Sequence, residues 1–166
     1  DNNNINSLYT CSDGQLWVGT NQGLNCWIPE IHSFKRFPLP ESLDRRSVAI
    51  QCIQEDAQGR LLVGTDLGLL EIVDDKLEVC TRYEFTAKSI RALTVDKGSA
   101  LWVGTGEGLY QFIEGRKRPF LYRHDLQNTR SLTDDKVTCI KEDSSGIIWI
   151  GTYSGGVSVF YREQQR

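Results

Sequence analysis

The sequence predicts an all-β protein, a β-propeller fragment of about four blades. Three observations support this: a unit of 40 to 47 residues recurs four times, one segment of each unit is continuously apolar, and no helical periodicity is present. A strand that is apolar throughout is buried on both faces. Because there are no helices to cover them, the small sheets are expected to pack on further copies of themselves, as propeller blades do.

The repeated unit is marked by a five-residue motif, Leu-Trp-Val-Gly-Thr or a close variant. It occurs at 16–20, 61–65, 101–105 and 148–152, and its glycines are 45, 40 and 47 residues apart. Counted from the tryptophan position, an apolar residue stands twelve residues before, a small residue ten before, and a glycine six after, in every copy. The glycines after the motif are Gly23, Gly68, Gly108 and Gly155.

Each unit is expected to form up to four antiparallel strands. The first resembles Ile50 to Glu55, the apolar motif is the second, and the third resembles Gly68 to Val73. The fourth strands are expected at Phe34 to Phe37, Leu77 to Tyr83 and Pro119 to Tyr122. These assignments divide a single domain, 1–166, into blade 1 at about 4–38, blade 2 at about 48–85, blade 3 at about 89–123 and blade 4 at about 136–161.

Blade 4 is expected to lack its outer strand, because 162–166 is short and polar. The chain is then either an arc of a larger propeller or closes by pairing with another copy. A start at Asp1 and the absence of methionine favour a segment of a longer protein.

An aspartate recurs six residues before the tryptophan position, as Asp56, Asp96 and Asp143, with Cys11 in the first copy. Aspartate accepts hydrogen bonds from the backbone ahead of it, so a turn-forming role is expected. The alternative, a calcium site, needs about six to eight oxygen ligands, and each turn offers only a few acidic groups.

The composition excludes several classes of protein. The net charge is −3 and the pI about 5.4, so no basic field is present to attract nucleic acid or an anionic membrane. No apolar run approaches the ~20 residues of a membrane span. Five cysteines without a CxxC pair and two histidines, His32 and His124, give no zinc-finger spacing, so no metal or other cofactor is expected. Cys52 and Cys139, at the small position of the repeat, are expected to pack.

The fourth copy carries the most specific signature. Its segments 131–137 (SLTDDKV), 139–143 (CIKED), 146–152 (GIIWIGT) and 155–157 (GGV) closely resemble the two-component regulator propeller repeat. The resemblance covers nearly the whole chain. The second copy departs from it at Leu62, and the first at Cys11, with Asp13 moved next to Gly14.

The resemblance implies a non-enzymatic ligand-sensing segment in the periplasmic ectodomain of a hybrid two-component sensor histidine kinase. Ectodomains of that family generally contain two seven-bladed propellers, so the chain would be an arc of one, with the rest of the ectodomain as its partner and the phosphorelay modules elsewhere. An oligosaccharide ligand and signalling through the geometry of a homodimer are also implied, with no nucleic acid bound. The alternative is a structural or dimerisation scaffold without its own ligand.

Ligand contacts are expected from loops, because the strands are committed to packing. Tyr153 leads the candidates, since an exposed aromatic ring with neighbouring polar groups suits a sugar. The turns after the motif supply Asn21, Gln22, Asp66, Glu107, Tyr153 and Ser154, and the loops between copies supply Arg45, Arg46, Lys88 and Asn128. The alternative for each is ordinary surface, and Trp17, Trp102 and Trp149 are expected in the blade core and not as sugar platforms.

No catalytic residues are predicted. The adjacent pairs Glu55-Asp56 and Glu142-Asp143 lie on strands, where neighbouring side chains point to opposite faces, so neither pair can act as acid and base together. A weaker alternative is a sialidase-like, glycan-active propeller, because Ser12-Asp13-Gly14 with Trp17 is close to an Asp-box. Such an enzyme also needs clustered arginines, an acid and a tyrosine nucleophile, which the sequence cannot place.

Overall fold

The computed structural model describes residues 4–41, 43, 48–83 and 86–161, which fold almost entirely into strands and turns. The strands are β1 (Ile5–Thr10), β2 (Leu16–Thr20), β3 (Gly23–Ile28), β4 (Ser33–Phe37), β5 (Ile50–Glu55), β6 (Leu61–Thr65), β7 (Leu69–Val73), β8 (Lys76–Val79), β9 (Ile90–Val95), β10 (Leu101–Thr105), β11 (Leu109–Phe112), β12 (Phe120–Tyr122), β13 (Val137–Glu142), β14 (Ile148–Thr152) and β15 (Val157–Phe160), with a short 3-10 helix at Pro29–Ile31.

The strands form four antiparallel sheets, each with its strands in sequential order. Blade 1 is β1–β4, blade 2 is β5–β8, blade 3 is β9–β12, and blade 4 is β13–β15. No α-helix occurs in the described ranges, and no helix there is long and apolar enough to cross a membrane. The all-β propeller-blade class is confirmed, and the described residues form three strands of the fourth sheet. Residues 162–166, which were expected not to form its outer strand, lie outside the described residues.

The chain divides into two compact units. The first unit consists of 1–82 with 88–90 and contains blades 1 and 2. The second unit consists of 83–87 with 91–166 and contains blade 4 and blade 3 from Arg91 onward. Each unit has its own buried core between two blades.

In the first unit, one face of blade 1 packs on one face of blade 2. Trp17 and Phe37 of blade 1 share a core with Ile50, Val63 and Leu77 of blade 2. Each such fully buried apolar side chain stabilises the fold by about 1.5–3 kcal/mol relative to exposure. The alternation of strand side chains puts these residues on the facing surfaces of the two sheets.

In the second unit, Trp102 and Leu109 of blade 3 pack on Val137, Ile148 and Ile150 of blade 4. All five are buried, as the continuous apolar pattern predicted. Aromatic rings extend this core toward the outer strands, because Phe160 and Tyr122 lie at centroid distances of 5.0 and 6.0 Å from Trp102.

The glycine of the apolar motif is required by the close approach of two blades. A Cβ added at Gly104 would lie 2.6 Å from Val137 Cγ1, the first residue of the next blade. A Cβ at Gly19 would overlap Ile50 in the same way, together with Ser7 of its own blade. The motif glycine, the small residue ten positions before the tryptophan, and the β-branched residue of the next copy therefore form one packing unit.

The repeated aspartates form turns, as predicted. Oδ1 of Asp96 accepts hydrogen bonds from the backbone N–H groups of Gly98 and Ala100, both at 2.9 Å. Asp56 and Asp143 accept equivalent pairs from their own turns. No group of three or more metal-ligating side chains is found in the described part of the chain.

The second oxygen of each aspartate has a partner that differs between blades. Asp96 Oδ2 accepts from Trp102 Nε1, and Asp143 Oδ2 accepts from Trp149 Nε1, both at 2.8 Å. In blade 2, where Leu62 replaces the tryptophan, Arg60 Nε donates to Asp56 Oδ2 at 2.6 Å instead. The arginine thus takes over the donor role that the missing indole would have had.

In blade 1 the aspartate itself is missing. Cys11 stands in its place, so the buried Nε1 of Trp17 has only the weakly accepting Cys11 sulfur beside it and no oxygen acceptor among the described residues. Asp13 serves the turn only in part, through a bond from Gln15 N at 2.9 Å. A buried donor without a good acceptor costs about 1–3 kcal/mol, so the Trp17 indole is less well satisfied than that of Trp102.

Two predictions about blade 4 need correction. Trp149 is not a core residue, since it is 43% exposed whereas Trp17 and Trp102 are 5% and 0% exposed. Cys139, expected to pack between blades, is exposed although it contacts its own Gly151. Both lie on the face of blade 4 that no described residue covers.

The fourth copy also has a longer turn than its sequence alignment implies. In blades 2 and 3 the threonine of the motif bonds the carbonyl of Gly68 or Gly108, three residues on. In blade 4, Thr152 N bonds the carbonyl of Gly156, four residues on, so Gly156 and not Gly155 is the structural equivalent.

The remaining strand predictions differ at their ends. The third strand of blade 2 begins at Leu69, one residue later than expected, and its fourth strand ends at Val79, well before Tyr83. At Asp74 and Asp75 the chain adopts positive φ values of 47° and 62°, which form a tight two-residue hairpin. This hairpin joins β7 directly to β8, with Val73 opposite Lys76.

Candidate ligand-binding surface

Tyr153 lies in the turn between β14 and β15, and its side chain is 70% exposed. Its backbone N–H donates to the carbonyl of Lys136 at 2.9 Å, and Lys136 Nζ lies 3.8 Å from the ring centroid. The ring is therefore positioned by its backbone and paired with a cation while most of it faces solvent. Such a ring can stack on the apolar face of a sugar, and the ammonium can donate to hydroxyl or anionic groups.

Asp134 fixes the loop that carries Lys136 against the Tyr153 turn. Its carboxylate accepts from Lys136 N at 3.0 Å, from Ser154 N at 2.9 Å and from the Ser154 hydroxyl. The hydrogen bonds from Lys136 and Ser154 lower the pKa of Asp134 to about 2. Asp134 and Lys136 were not predicted as site residues, because their relation to Tyr153 depends on a turn and a loop that are distant in sequence.

The other candidates of the second unit make local hydrogen bonds. Glu107 has an exposed side chain, and its carbonyl accepts from Arg123 Nε at 3.0 Å. Asn128 Oδ1 accepts from the backbone N–H of Arg130 at 3.0 Å. The Asn128 amide oxygen therefore already accepts a hydrogen bond within its own loop.

The first-unit candidates also have structural partners. Asn21 Oδ1 accepts from Asn6 Nδ2 at 2.7 Å, and Asp66 Oδ1 accepts from Ala49 N at 3.2 Å. Gln22 and Lys88 have exposed side chains. Arg45 and Arg46, also predicted, lie outside the described residues.

A cleft of about 600 Å³ opens within the second unit, beside β15. It has apolar and polar walls, the latter including Arg123, His124 and Arg130. His124 is fixed through Nδ1 to the carbonyl of Leu132 at 2.7 Å and through its backbone N–H to Asp135 at 2.6 Å. Sequence patterns missed this cleft, because the loop from 123 to 133 has no counterpart in the repeat.

The paired carboxylates serve structural roles. Glu55 accepts from the backbone N–H and the hydroxyl of Ser12, each at 2.8 Å, so blade 2 holds the turn of blade 1. Glu142 accepts from Lys97 N at 2.7 Å, which links blade 4 to blade 3 in the same way. Both glutamates are thus inter-blade contacts.

The cysteines form no disulfide. Burial raises the pKa of the Cys52 thiol to about 12. Burial, with the added charges of Glu55 and Asp13, raises the pKa of Cys11 to about 11. Thiolates are therefore scarce at neutral pH at both positions, which suits packing residues better than nucleophiles.

A family comparison matches the two-component regulator propeller model at residues 1–22 and 131–154. These ranges lie in the first and fourth copies. The resemblance expected from the repeat is therefore confirmed in these two segments. No functionally curated protein shows significant similarity to the sequence.

Two solved structures similar to this chain are extracellular domains of hybrid two component systems. The extracellular domain of a hybrid two component system from B. thetaiotaomicron is 28% identical over 93% of this chain, with a TM-score of 0.82. The extracellular domain of a second such system from the same organism is 28% identical over 99% of the chain, with a TM-score of 0.73. The chain spans only 21% and 22% of those two domains.

Enzymes share the fold as well. Virginiamycin B lyase from Staphylococcus aureus is 18% identical over 94% of this chain and 55% of its own, with a TM-score of 0.65. At that identity the likeness concerns the fold alone.

Proposed function

Because two segments of the chain match the two-component regulator propeller model, we propose that it is a non-enzymatic, ligand-binding segment of the periplasmic sensor region of a hybrid two-component histidine kinase. Its similarity to extracellular domains of hybrid two component systems supports this location outside the cytoplasm. The proposed ligand is an oligosaccharide, contacted through loops, and the remainder of the ectodomain completes the binding surface.

The observation that carries the proposal is the Tyr153 platform. An exposed ring, the Lys136 ammonium and the Asp134–Ser154 pair come together within the matched range 131–154. Aromatic stacking combined with fixed polar groups is how protein surfaces hold sugar rings. A ligand would shift the equilibrium between the signalling states of a receptor homodimer only if it bound those states with different affinities.

A second candidate function is a structural or dimerisation scaffold without its own ligand. The observation that favours it is that side-chain oxygens of Asn21, Asp66 and Ser154 are already engaged within the protein. A sialidase-like, glycan-active propeller is the third candidate, and it rests on the likeness of Ser12-Asp13-Gly14 with Trp17 to an Asp-box.

Calorimetric titration of the intact ectodomain with neutral and acidic oligosaccharides separates these candidates. We expect a saturable heat for one sugar class, and at least about tenfold weaker binding for Tyr153→Ala. Tyr161→Ala removes another exposed tyrosine, which follows the opposite end of β15 from the Tyr153 turn, and should leave the affinity unchanged. Binding of no sugar contradicts the sensor proposal and favours the scaffold, whereas release of product from a glycan favours the enzyme.

A further inference from the structure

Arg91, the second residue of β9, carries a charge that no described residue pairs. Its side chain is half-buried, its Nε is fully buried, and the guanidinium has no hydrogen bond or ion pair within the described part of the chain. Withdrawing a charged group from water without a partner is unfavourable. A group of this kind in a folded protein calls for an explanation, and a bound ion or ligand is one.

The position of Arg91 recurs in every copy, eleven residues before the tryptophan position. The inner strands β1, β5 and β13 each shift register at this residue, which is Asn6, Gln51 or Thr138. A bulge of this kind re-aims the side chain that it carries. The position is therefore polar in all four blades, and only blade 3 has a cation there.

Blade 1 shows how a side chain at this position is satisfied. Asn6 Nδ2 donates to Asn21 Oδ1 in the turn after β2 at 2.7 Å, and to the carbonyl of Ile50, the first residue of β5, at 3.1 Å. In blade 3 the turn residue equivalent to Asn21 is Gly106, which has no side-chain oxygen. The side-chain acceptor is thus lost in the same blade in which the donor becomes a cation.

The equivalent surroundings of Arg91 belong to the described structure. The turn that contains Gly106 is described, and so is Val137, the first residue of blade 4. Blades 3 and 4 meet closely here, because a Cβ added at Gly104 would lie 2.6 Å from Val137 Cγ1. The missing acceptor therefore follows from the glycine at 106.

Lys136 brings a second cation to the start of blade 4. It directly precedes Val137, its side chain is half-buried, and its Nζ lies 3.8 Å from the ring centroid of Tyr153. The neighbouring Asp134 carboxylate accepts from the backbone N–H of Lys136, and no carboxylate among the described residues pairs with its ammonium. Two half-buried cations of the second unit are thus without an acidic partner.

We propose that Arg91 binds the acidic group of the ligand, a carboxylate or sulfate ester carried by an oligosaccharide, with Lys136 as the second cation. An anionic oxygen takes the place that Asn21 Oδ1 has in blade 1. The planar guanidinium matches a group that offers two oxygens. This inference rests on the proposed sugar-binding function and adds that the sugar is acidic.

NMR of the intact ectodomain, labelled with ¹⁵N-arginine, observes the site directly. The Nε–Hε signal of Arg91 is identified by its loss in Arg91→Gln, which installs the residue type that blade 2 has at Gln51. Glucuronate and glucose 6-sulfate at millimolar concentration should shift this signal saturably. Glucose has the same ring without the acidic group and should not shift it.

Two further variants distinguish a specific site from general electrostatic attraction. Gly106→Asp supplies an internal carboxylate at the turn position where blade 2 already has Asp66, and should abolish the response of the Arg91 signal. Arg130→Gln removes the same charge from an exposed loop residue of the second unit, and should leave the response unchanged.

The proposal is overturned if neither acidic sugar shifts the Arg91 signal, or if glucose shifts it equally. It is also overturned if inorganic sulfate binds at least as tightly as glucose 6-sulfate, since that indicates an adventitious ion only.

Calorimetry separates this inference from the proposed function on which it rests. Acidic oligosaccharides should bind Arg91→Gln at least about tenfold more weakly than the unsubstituted ectodomain. Binding of neutral sugars alone would overturn the inference and leave the sensor proposal standing, whereas binding of no sugar contradicts the sensor proposal itself.

Discussion

The core between blades 1 and 2 and the core between blades 3 and 4 are built from equivalent positions but completed differently. In the first, Leu77 packs in the core, while the Trp17 indole has no oxygen acceptor among the described residues. In the second, Trp102 is bonded to Asp96, and a cleft opens beside β15 among the described residues. Strand packing and turn chemistry therefore vary independently within one repeat, so the two units should respond differently to equivalent substitutions.

The largest difference is expected at the motif glycines. Gly104→Ala places a methyl group against Val137 and Ile140, both held in the core, and should lower the free energy of unfolding by about 2–3 kcal/mol. Gly151→Ala meets chiefly the exposed Cys139 side chain, which can rotate away, and should cost less than about 1 kcal/mol. Chemical denaturation of both variants measures the difference, and equal losses would show that blade 4 is as tightly covered as blade 3.

The next effect concerns the tryptophans. Trp102→Phe loses the hydrogen bond to a buried carboxylate, whereas Trp17→Phe removes a donor that has only the weakly accepting Cys11 sulfur beside it. Both changes remove a similar volume, so Trp102→Phe should be more destabilising by about 1.5–3 kcal/mol. Denaturation midpoints test this, and a larger loss for Trp17→Phe would contradict the assigned role of the aspartate.

A smaller gain is expected from repairing the first turn. Cys11→Asp restores the carboxylate found in the other blades and should stabilise the chain by about 1 kcal/mol, offset in part by nearby Glu55. A double-mutant cycle with Trp17→Phe isolates the new bond. If the gain persists without the indole, it arises from the turn backbone and not from the Asp–Trp pair.

The smallest effect is the pH dependence of the Tyr153 turn. The pKa of Asp134, about 2 in the folded chain, lies below its ordinary value of 3.8. Its contribution to stability is therefore present above about pH 4 and is lost as the pH falls toward 2. Asp134→Asn should remove that part of the acid loss, a change of no more than a few degrees in Tm because the group is exposed. If the Tm of the unsubstituted protein and of Asp134→Asn falls equally as the pH is lowered, this role of Asp134 is contradicted.

The repeat predicted those features that depend on residues close together in the chain. The first and second strands and the aspartate turns follow from alternation and from contacts over about six residues, and the structure has them. The burial of Trp17 and Trp102 was predicted for the same reason. The exposure of Trp149 was not, because the repeat does not show whether a neighbouring blade covers it.

Features that join distant copies were also missed. The Ser12–Glu55 contact spans 43 residues, and Lys97–Glu142 spans 45, so no local pattern marks them.

The one-residue extension of the β14–β15 turn was hidden because Gly155 keeps the repeat spacing while Gly156 takes its structural place. Among candidate site residues, Tyr153 could be chosen from its type and turn, but Lys136 and Asp134 required the folded loop.

Amide hydrogen exchange tests most directly whether blades 2 and 4 share one strand plan, in which the described residues supply an outer strand to blade 2 only. The structure predicts that all β7 amides exchange slowly, since β7 is paired on both sides. In β15 the amides that bond β14 should be protected, and the alternate amides that face the open edge should exchange rapidly. Equal protection of alternate amides along β15 and β7 would contradict the account, because it would mean that the edge of blade 4 is already paired.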